Sequence, residues 1–550
     1  MTPPGARSRD GGVRPPRPAL SPVGGDGPGE DLDPPITVDV RLLPAAAAAW
    51  LAAVIAARLT APAALTAAGV CLVVALGIVA TSCRPGRGER RVPAATSVPP
   101  ASVRGRLAPV VVLALVAGGA VLGAAASQTA ARTEGLLPGL AREGSVGRVE
   151  GVVAGEPTVL DPAWPGAPER VRAVVAVEHV TAQGRESGAT GQVLVLGPSS
   201  WATLPSGARV AVAGQLRPGE TGRRTVAVLL STGEPELLSA PSGPEAAATR
   251  FRDGVRSLAG GLPGDAGALF AGVTVGDTAA IGDELDLALR TAGLTHVTAV
   301  SGAHFSLVAV LVLTLTSAAR LPRPARAGLT VGAMAALVLV VHPSPSVLRA
   351  AVMGLVALLG LLLGRPHRAP AALAATVVVL LVADPWLAGE LGFVLSVLAT
   401  GALVLLGGPL ADRWAGALGR PVATALALPV AAQLVCAPVI LLLTPAVSLY
   451  AIPANVLAAP AVAPATVLGL AAGCLAPWWS AGAQVLALGG GAACWWIGAV
   501  GRVAAAAPGA QVSWLPGWTG AALLAVAAGC GYRLLVGGRA VREQDRAERR

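Results

Sequence analysis

Nine long apolar segments follow one another through the last part of the chain, and they constrain the fold more than any other feature. They lie near residues 296–319, 327–341, 347–364, 371–384, 391–411, 422–443, 450–474, 483–507 and 518–536. Most are close to the roughly 20 residues that an α-helix needs to cross a bilayer, although two are shorter. We therefore expect a polytopic α-helical integral membrane protein.

The composition supports the same fold class. The chain has 550 residues, of which 54% are hydrophobic and 13% charged, and its mean hydropathy is +0.66. The charged fraction is about half of that in a typical soluble domain, which argues against one large soluble core. The net charge of +10 comes from arginine, since the sequence contains no lysine. Codon bias and cytoplasmic loops both account for such a balance, so it is weak evidence for nucleic-acid binding.

The N-terminal part divides into a tail and further apolar segments. Residues 1–42 are rich in Pro, Gly, Arg and Asp, and we expect a disordered cytoplasmic tail there. Residues 43–127 form N-terminal transmembrane helices in this interpretation. Residues 44–82 allow two short spans with a break near Pro62, and a third span follows at about 107–127. The total expected is about twelve transmembrane helices.

Residues 128–250 have a different character, because short valine-rich segments alternate with Gly and Pro clusters. The segments are GRVEGVVAG, RVRAVVAVEHV, GQVLVLG, ARVAVAGQLRP and RRTVAVLL. Five short strands separated by turn residues predict a small β-barrel or sandwich. We expect this domain to be extracytoplasmic.

Arginine clusters between the apolar segments provide a test of that orientation. The clusters are Arg320, Arg323 and Arg326; Arg365 and Arg368; Arg413 and Arg420; and Arg533, Arg539 and Arg542. If the β domain is outside, alternate crossings place all four clusters in the cytoplasm, as the positive-inside rule requires. Both termini, including the charged tail at 537–550, are then cytoplasmic, and the protein is a multi-pass protein of the cell membrane.

Polar residues are concentrated where an amphipathic segment, residues 251–295, meets the apolar transmembrane region, residues 296–536. The stretch LTHVTAVSGAHFSLV, residues 294–308, puts His296, Ser301, Gly302 and His304 at the start of an apolar run. Polar groups at membrane depth cost several kcal/mol unless they are satisfied. We therefore expect them to line a pathway.

Residues 269–308 resemble the ComEC family, the membrane channel of bacterial DNA uptake. The resemblance rests on Gly276-Asp277, on an amphipathic stretch at 284–290, on Gly293-Leu294-Thr295-His296 and on Ser301-Gly302-Ala303-His304. Four further segments resemble family motifs: SPSVLRAAVMGLVALLG with Arg349; ADPWLAGELGFVLSVLATGALVLL with Asp384, Pro385 and Ser396; AAQLVCAPVILL with Gln433 and Pro438; and VSLYAIPANVLAAPAV with Asn455 and Pro460. Asn455 is the single asparagine of the chain.

The resemblance implies a function and partners. It implies an OB-fold, a five-stranded barrel, for the external domain. It implies passage of single-stranded DNA across the cytoplasmic membrane during natural transformation, with a cytoplasmic helicase-like motor and a DNA receptor as partners beside membrane lipid. A homo-oligomer is also possible. Many members continue into a metallo-β-lactamase-like nuclease domain, but its His-x-His-x-Asp-His cluster does not occur in this sequence.

The physical roles follow from what a polyanion needs in order to cross lipid. Arg349 is placed to meet phosphates, while Ser301, Ser396, Gln433 and Asn455 offer hydrogen bonds along the path. Helix breaks at Pro and Gly expose backbone groups, which are tolerated along a cavity.

Several alternatives stay open. His296 and His304 line the path, cap a helix or bind a metal; the last interpretation, with an acidic partner, describes an intramembrane metal-dependent hydrolase. Arg349 alternatively extends towards the interface, Asp277 caps a helix, and Asp384 forms a turn. The external domain serves as a scaffold or gate as readily as a DNA-binding module. A transporter of another polyanion is the remaining alternative.

No catalytic, metal or cofactor motif is evident in the sequence. The cysteines lie in or at the ends of apolar segments, without a CxxC pair or zinc-ligand spacing. No Walker motif is present, so energy must come from another protein. We therefore expect a transport protein and no enzyme, with no bound cofactor.

Overall fold

A computed structural model describes residues 41–82, 103–160, 162, 164, 166, 168–220, 222–298, 300–341, 345–362 and 369–537. The predicted N-terminal tail up to residue 40 and the C-terminal tail from residue 538 lie outside the described residues. So do the arginines at 365, 368, 539 and 542, which the orientation argument used.

The described chain is mostly helical. Its helices are α1 (Leu43–Ala56), α2 (Ala61–Ser82), α3 (Val103–Thr133), α4 (Leu137–Glu143), α5 (Gly243–Gly260), α6 (Asp265–Val275), α7 (Asp283–Thr291), α8 (Thr295–Thr298), α9 (Gly302–Ala318), α10 (Arg323–Val341), α11 (Pro345–Leu362), α12 (Ala369–Ala383), α13 (Leu391–Ala402), α14 (Gly408–Leu418), α15 (Arg420–Ile440), α16 (Ala451–Leu475), α17 (Ser480–Ala506) and α18 (Gly517–Gly537). A 3-10 turn occupies Pro385–Gly389, and a π-helical turn at Leu403–Gly407 joins α13 to α14.

Within the described residues, eight helices are long and apolar enough to cross a membrane. They are α2, α3, α10, the continuous helix Leu391–Leu418, α15, α16, α17 and α18. The other four predicted spans coincide with shorter apolar helices, at Leu43–Ala56, Gly302–Ala318, Val347–Val356 and Ala369–Ala383. At 1.5 Å per residue, the helices at Leu43–Ala56, Gly302–Ala318 and Ala369–Ala383 reach at most about 26 Å, less than the hydrocarbon thickness of roughly 30 Å. The helical membrane class is therefore supported, while the count of twelve stays a prediction.

The valine-rich region forms a sheet with a strand at each of the five predicted segments. Its strands are β1 (Val146–Val153), β2 (Thr158–Leu160), β3 (Arg170–Ala182), β4 (Arg185–Gly197), β5 (Arg209–Pro218), β6 (Thr225–Leu230) and β7 (Glu236–Ser239). The pairing order is β1-β3-β4-β6-β5, and β1 also pairs with β5. The β4–β6 pair is parallel, and the other pairs are antiparallel. The short strands β2 and β7 are additions that the valine pattern did not predict.

Alternating burial explains why this region is a sheet. Along β1 every second residue is buried, including Val149 and Val153, and β3 begins with the same alternation. These side chains surround the fully buried Trp201 in one apolar core, which Leu137 and Leu140 of α4 complete. Burial of one face with period two is the condition that fixes a strand register.

The helices that position the candidate site pack around α6. This helix is apolar on all sides and buried along its length, from Ala266 to Val275, as expected for a helix inside a bundle. α5, α7, α16 and α17 pack in the same apolar cluster. α7 begins with acidic residues and ends with Arg290, a charge order that suits the helix dipole. A second strand pair, β8 (Ala446–Ser448) with β9 (Gln511–Ser513), joins the α15–α16 and α17–α18 connections.

Candidate functional site

Four of the polar residues singled out in the sequence line one cavity. His296, Ser301, His304 and Asn455 face a space of about 200 Å³, whose apolar lining is Val297, Ala303, Ala458, Ala459 and Val462. The histidines and the serine come from α8, the turn after it and the start of α9, whereas Asn455 comes from the first turns of α16. Two motifs far apart in sequence therefore meet at one place in the bundle.

His304 lines this cavity and also caps α9. The backbone N–H of Ser301, the residue before the helix, donates to Nδ1 of His304 at 3.1 Å. The Ser301 hydroxyl lies 3.3 Å from the same nitrogen. Since Nδ1 accepts an N–H hydrogen bond, the neutral ring carries its proton on Nε2. His304 is only 2% exposed, so a capping role and a lining role coexist in one side chain.

Asn455 attaches the turn before His296 to α16. Its amide nitrogen donates to the backbone oxygen of Ala451 at 2.7 Å and to that of Gly293 at 3.4 Å. Gly293 has φ of +69°, and a Cβ at this position would lie 2.8 Å from the Cβ of Ala451. Glycine is required there by both backbone conformation and close approach. Asn455 thus fixes the position of His296 at the cavity.

Arg349 and Ser396 form a second group, with a threonine that the sequence analysis did not single out. Nε of Arg349 donates to Oγ of Ser396 at 2.7 Å, and Nη1 donates to Oγ1 of Thr400 at 2.8 Å. The Met353 sulfur lies 3.8 Å from Nη1. Ser396 and Thr400 are four residues apart on α13, so they share a helix face. That spacing, present in the quoted motif, was the signal for Thr400.

The buried guanidinium of Arg349 has no carboxylate beside it among the described residues. Arg349 is 5% exposed, and its side-chain partners among the described residues are the neutral groups of Ser396, Met353 and Thr400. Buried charges are usually paired, because the desolvation cost is otherwise uncompensated. The Arg349 side chain is therefore buried among the helices, and no described residue compensates its charge.

Gly302 brings the two groups together. Nη2 of Arg349 lies 3.7 Å from the position that a Cβ on Gly302 would occupy. The neighbours of Gly302 in sequence, Ser301 and Ala303, line the cavity. The first residue of α9 therefore separates the cavity from the arginine by one backbone thickness.

Asp277 closes a charged network with the β domain. α6 ends at Val275 and is followed by Gly276, which has φ of +80°. The next residue, Asp277, is 6% exposed. Asp277 accepts a hydrogen bond from the backbone of Ala279 and forms an ion pair with Arg256, which also pairs with Glu156 of the β1–β2 connection at 2.6 Å. Burial lowers the pKa of the Arg256 guanidinium, but its hydrogen bond to Asp277 and the negative charge of Glu156 outweigh this effect, so the pKa lies above its ordinary value. Asp277 is thus both a turn residue and an anchor.

Asp384 makes the second anchor. Its carboxylate accepts from the backbone N–H of Trp386 at 3.2 Å, across Pro385, and pairs with Arg224 at the start of β6 at 2.6 Å. Arg132 of α3 stacks over the Trp386 ring, 3.4 Å from its centroid. The predicted turn is present, and its acidic side chain binds the β domain as well.

Three singled-out residues belong neither to the cavity lining nor to the groups of contacts described above. Gln433 is half-buried on α15, Pro438 lies inside the same helix, and Pro460 lies inside α16 beside Pro464. Each proline removes one backbone hydrogen bond from its helix. Among the described residues, no three His, Cys, Asp or Glu side chains are grouped as a metal site would need.

Comparison with known proteins finds similarity over the C-terminal part of the chain. Residues 273–539 match the model of the family described as "Competence protein". ComE operon protein 3 from Bacillus subtilis (strain 168) is 31% identical over 144 residues, which are 26% of this chain and 19% of that protein. The alignment thus spans about a fifth of that relative. No solved structure matches the chain.

Proposed function

Since this chain is a ComEC-family protein whose C-terminal half is a competence domain, we propose that it passes single-stranded DNA across the cytoplasmic membrane during DNA uptake. The observation that carries the proposal is the cavity where His296, Ser301, His304 and Asn455 meet among apolar helices. Polar side chains inside a membrane bundle are costly and usually mark a substrate path.

The orientation forms part of the proposal. The β domain lies outside the cell, both termini lie in the cytoplasm, and twelve helices cross the membrane, the short ones with tilted or locally thinned lipid around them. The arginines at 320, 323, 326, 413, 420 and 533 support this orientation, because alternate crossings put them all on the cytoplasmic side.

The external domain is an OB-fold-like barrel in this proposal. Support comes from the strand pairings, in which β1 pairs with both β3 and β5 while β4 and β6 run parallel. An OB-fold is a five-stranded, partly open barrel. Arg224 of this domain pairs with Asp384, and Glu156 pairs with Arg256, which also pairs with Asp277; these ion pairs attach the domain to the helical part.

The chain acts as a transporter and not as an enzyme in this proposal. A separate cytoplasmic helicase-like motor supplies the energy, and a DNA receptor delivers the strand. Metal analysis of the purified protein distinguishes the transporter from the metal-dependent hydrolase. Stoichiometric metal bound through His296 and His304 would favour the intramembrane hydrolase.

The test is passage of a fluorescent single strand into proteoliposomes that contain the full chain, measured by protection from added nuclease. Ala459 lines the cavity yet is exposed, so Ala459→Phe fills the path without disturbing the core. Leu457, which is 53% exposed on the same helix and outside the lining, provides the matched control, Leu457→Phe. We expect passage with the wild type and the control, and a loss of passage with Ala459→Phe. Absence of passage with the wild type in the presence of a motor would refute the proposal.

Genetic deletion in the host supplies a second readout. Transformation with added DNA is expected to disappear on deletion and to return with the wild-type gene. Unchanged transformation in a competent deletion strain would contradict the proposal and favour transport of another polyanion.

A further inference from the structure

Two nitrogens of the Arg349 guanidinium donate hydrogen bonds that hold the group in one orientation, and the third nitrogen, Nη2, is without a described acceptor. Nε and Nη1 donate to Ser396 and Thr400, whereas Nη2 donates no hydrogen bond to any described residue. The two hydroxyls are themselves fixed on one face of α13, which leaves the arginine little rotational freedom. A pre-oriented donor of this type loses little entropy when it binds a ligand.

Nη2 is directed at the beginning of α9. It lies 3.7 Å from the Cβ position of Gly302, the first residue of this 17-residue helix. The N–H groups of Gly302 and Ala303 have no intrahelical acceptor, whereas Ser301 caps that of His304, and the helix dipole makes this end attractive to anions. A cationic side chain and a helix N-terminus therefore converge on the same small region.

Nothing negative occupies this region within the described part of the chain. Arg349 is 5% exposed, and its side-chain partners among the described residues are the neutral groups of Ser396, Met353 and Thr400. A buried, unpaired cation costs stability, so its retention needs a compensating anion for part of the time. The neighbouring cavity, lined by Ser301 and Ala303 on either side of Gly302, lies next to this region, one backbone thickness from the guanidinium.

We propose that Arg349 Nη2 and the N-terminus of α9 bind one phosphodiester group of a nucleic-acid backbone. The anion site rests on the contacts above, and only the identity of its ligand rests on the proposed function. Arginine suits the role because its fork matches phosphate oxygens. Ser396 and Thr400 are positioning residues for Arg349 and do not themselves contact the phosphate.

Gly302 offers a variant that blocks the site without disturbing the fold. A methyl group there would meet only ordinary contacts, at 3.7 Å from Nη2 and 3.8 Å from the Ala350 Cβ, yet it would occupy the space in front of the arginine. Gly302→Ala is therefore expected to fold. Gly328→Ala on α10 is the matched control, because nothing lies within 4 Å of its added methyl.

The test uses the full chain in phosphatidylcholine nanodiscs and a fluorescent oligothymidylate, with affinity measured by anisotropy. Loss of one charge-assisted contact predicts roughly tenfold weaker binding for Arg349→Gln and for Gly302→Ala, with no change for Gly328→Ala. An oligothymidylate with an uncharged methylphosphonate backbone should bind wild type and Arg349→Gln equally. Wild-type affinity in both variants would overturn the site while leaving the transport proposal intact.

Two further arms identify the ligand. If phosphatidylglycerol added to the nanodisc abolishes the difference between wild type and Arg349→Gln, the anion is a lipid headgroup and the nucleic-acid assignment is wrong. If the wild type binds no oligothymidylate, the proposed function fails, and inorganic phosphate then tests the site alone. Thermal stabilisation by phosphate in the wild type and not in Arg349→Gln supports the anion site; equal behaviour overturns it.

Discussion

The carboxylate of Asp384 lies 2.6 Å from the guanidinium of Arg224, and this ion pair joins the Asp-Pro turn before α13 to the start of β6. Its side chains are 15% and 33% exposed respectively, so solvent screens the pair incompletely. Asp277 makes the equivalent contact with Arg256 and, through it, Glu156. The two acidic motif residues therefore act as anchors for the β domain.

Neutralising Asp384 should weaken the attachment of the β domain. Asp384→Asn keeps an oxygen for the Trp386 N–H and removes the charge, and we expect a loss of about 1–3 kcal/mol because Arg224 loses its partner. The matched control is Asp412→Asn, whose pair with Arg420 is largely exposed at 3.5 Å and should matter little. Unfolding of the detergent-solubilised protein, followed by tryptophan fluorescence, measures both. Equal effects of the two variants would contradict the anchor.

Gly293→Ala should be damaging. The residue has φ of +69°, and its new methyl would lie 2.8 Å from the Ala451 Cβ. The left-handed conformation alone costs about 1–2 kcal/mol for alanine, and the clash pushes α16 away from the turn. Gly282→Ala has open space around it and φ of −68°, so its midpoint of unfolding should hardly change. A similar midpoint for Gly293→Ala would show that the turn tolerates a side chain.

His304 allows capping to be separated from a role in transport. His304→Ala leaves the Ser301 N–H without its acceptor and should cost about 1 kcal/mol. His304→Gln offers an acceptor at the same helix position, as in a capping box, and should recover most of that loss. If uptake falls with His304→Gln at normal membrane levels, the imidazole contributes to the path beyond the cap. If uptake follows stability in both variants, the residue is a cap alone.

Replacing Arg349 should stabilise the protein while impairing its function. Arg349→Leu removes a buried, unpaired cation. In the absence of DNA we expect the free energy of unfolding to increase by about 1–2 kcal/mol, which raises the thermal midpoint, while passage of single-stranded DNA is reduced. Arg502→Leu gives the opposite sign for stability, because Arg502 pairs with both oxygens of Asp265 at 2.6 and 2.9 Å. A destabilised Arg349→Leu protein would mean that the guanidinium is structural.

The sequence predicted what local patterns determine. Short valine-rich segments separated by Gly and Pro located five of the seven strands of the sheet, because strand residues and turn residues are both visible in a short window. It did not predict that Asp277 and Asp384 pair with Arg256 and Arg224, since such contacts depend on the arrangement of distant elements. Nor did it separate Gln433 from the cavity residues, because polarity alone does not tell which helix face a side chain takes.

Apolar length was a weaker guide. α9 and α12 were predicted as spans from their hydrophobic runs, and they are helices of 17 and 15 residues. Continuous apolar sequence extends past helix ends into turns, so a run overestimates the helix inside it. Ser301 shows the reason at one residue: its backbone is extended, and α9 begins only after it.

The π-helical turn at Leu403–Gly407 rotates the side chains of α14 about the helix axis relative to those of α13, within one continuous helix. Ahead of the turn, Ser396 and Thr400 face Arg349; beyond it, Leu410 and Ala411 pack with Ala427 and Ala431 of α15. The extra residue per turn resets the angular position of everything that follows. Deleting a single residue between 403 and 407 would restore uniform α-helical winding. The helix could then keep either its contacts with Arg349 or its packing against α15, but not both. The extra residue of the π-helical turn therefore allows α13 to contact Arg349 and α14 to pack against α15 at the same time.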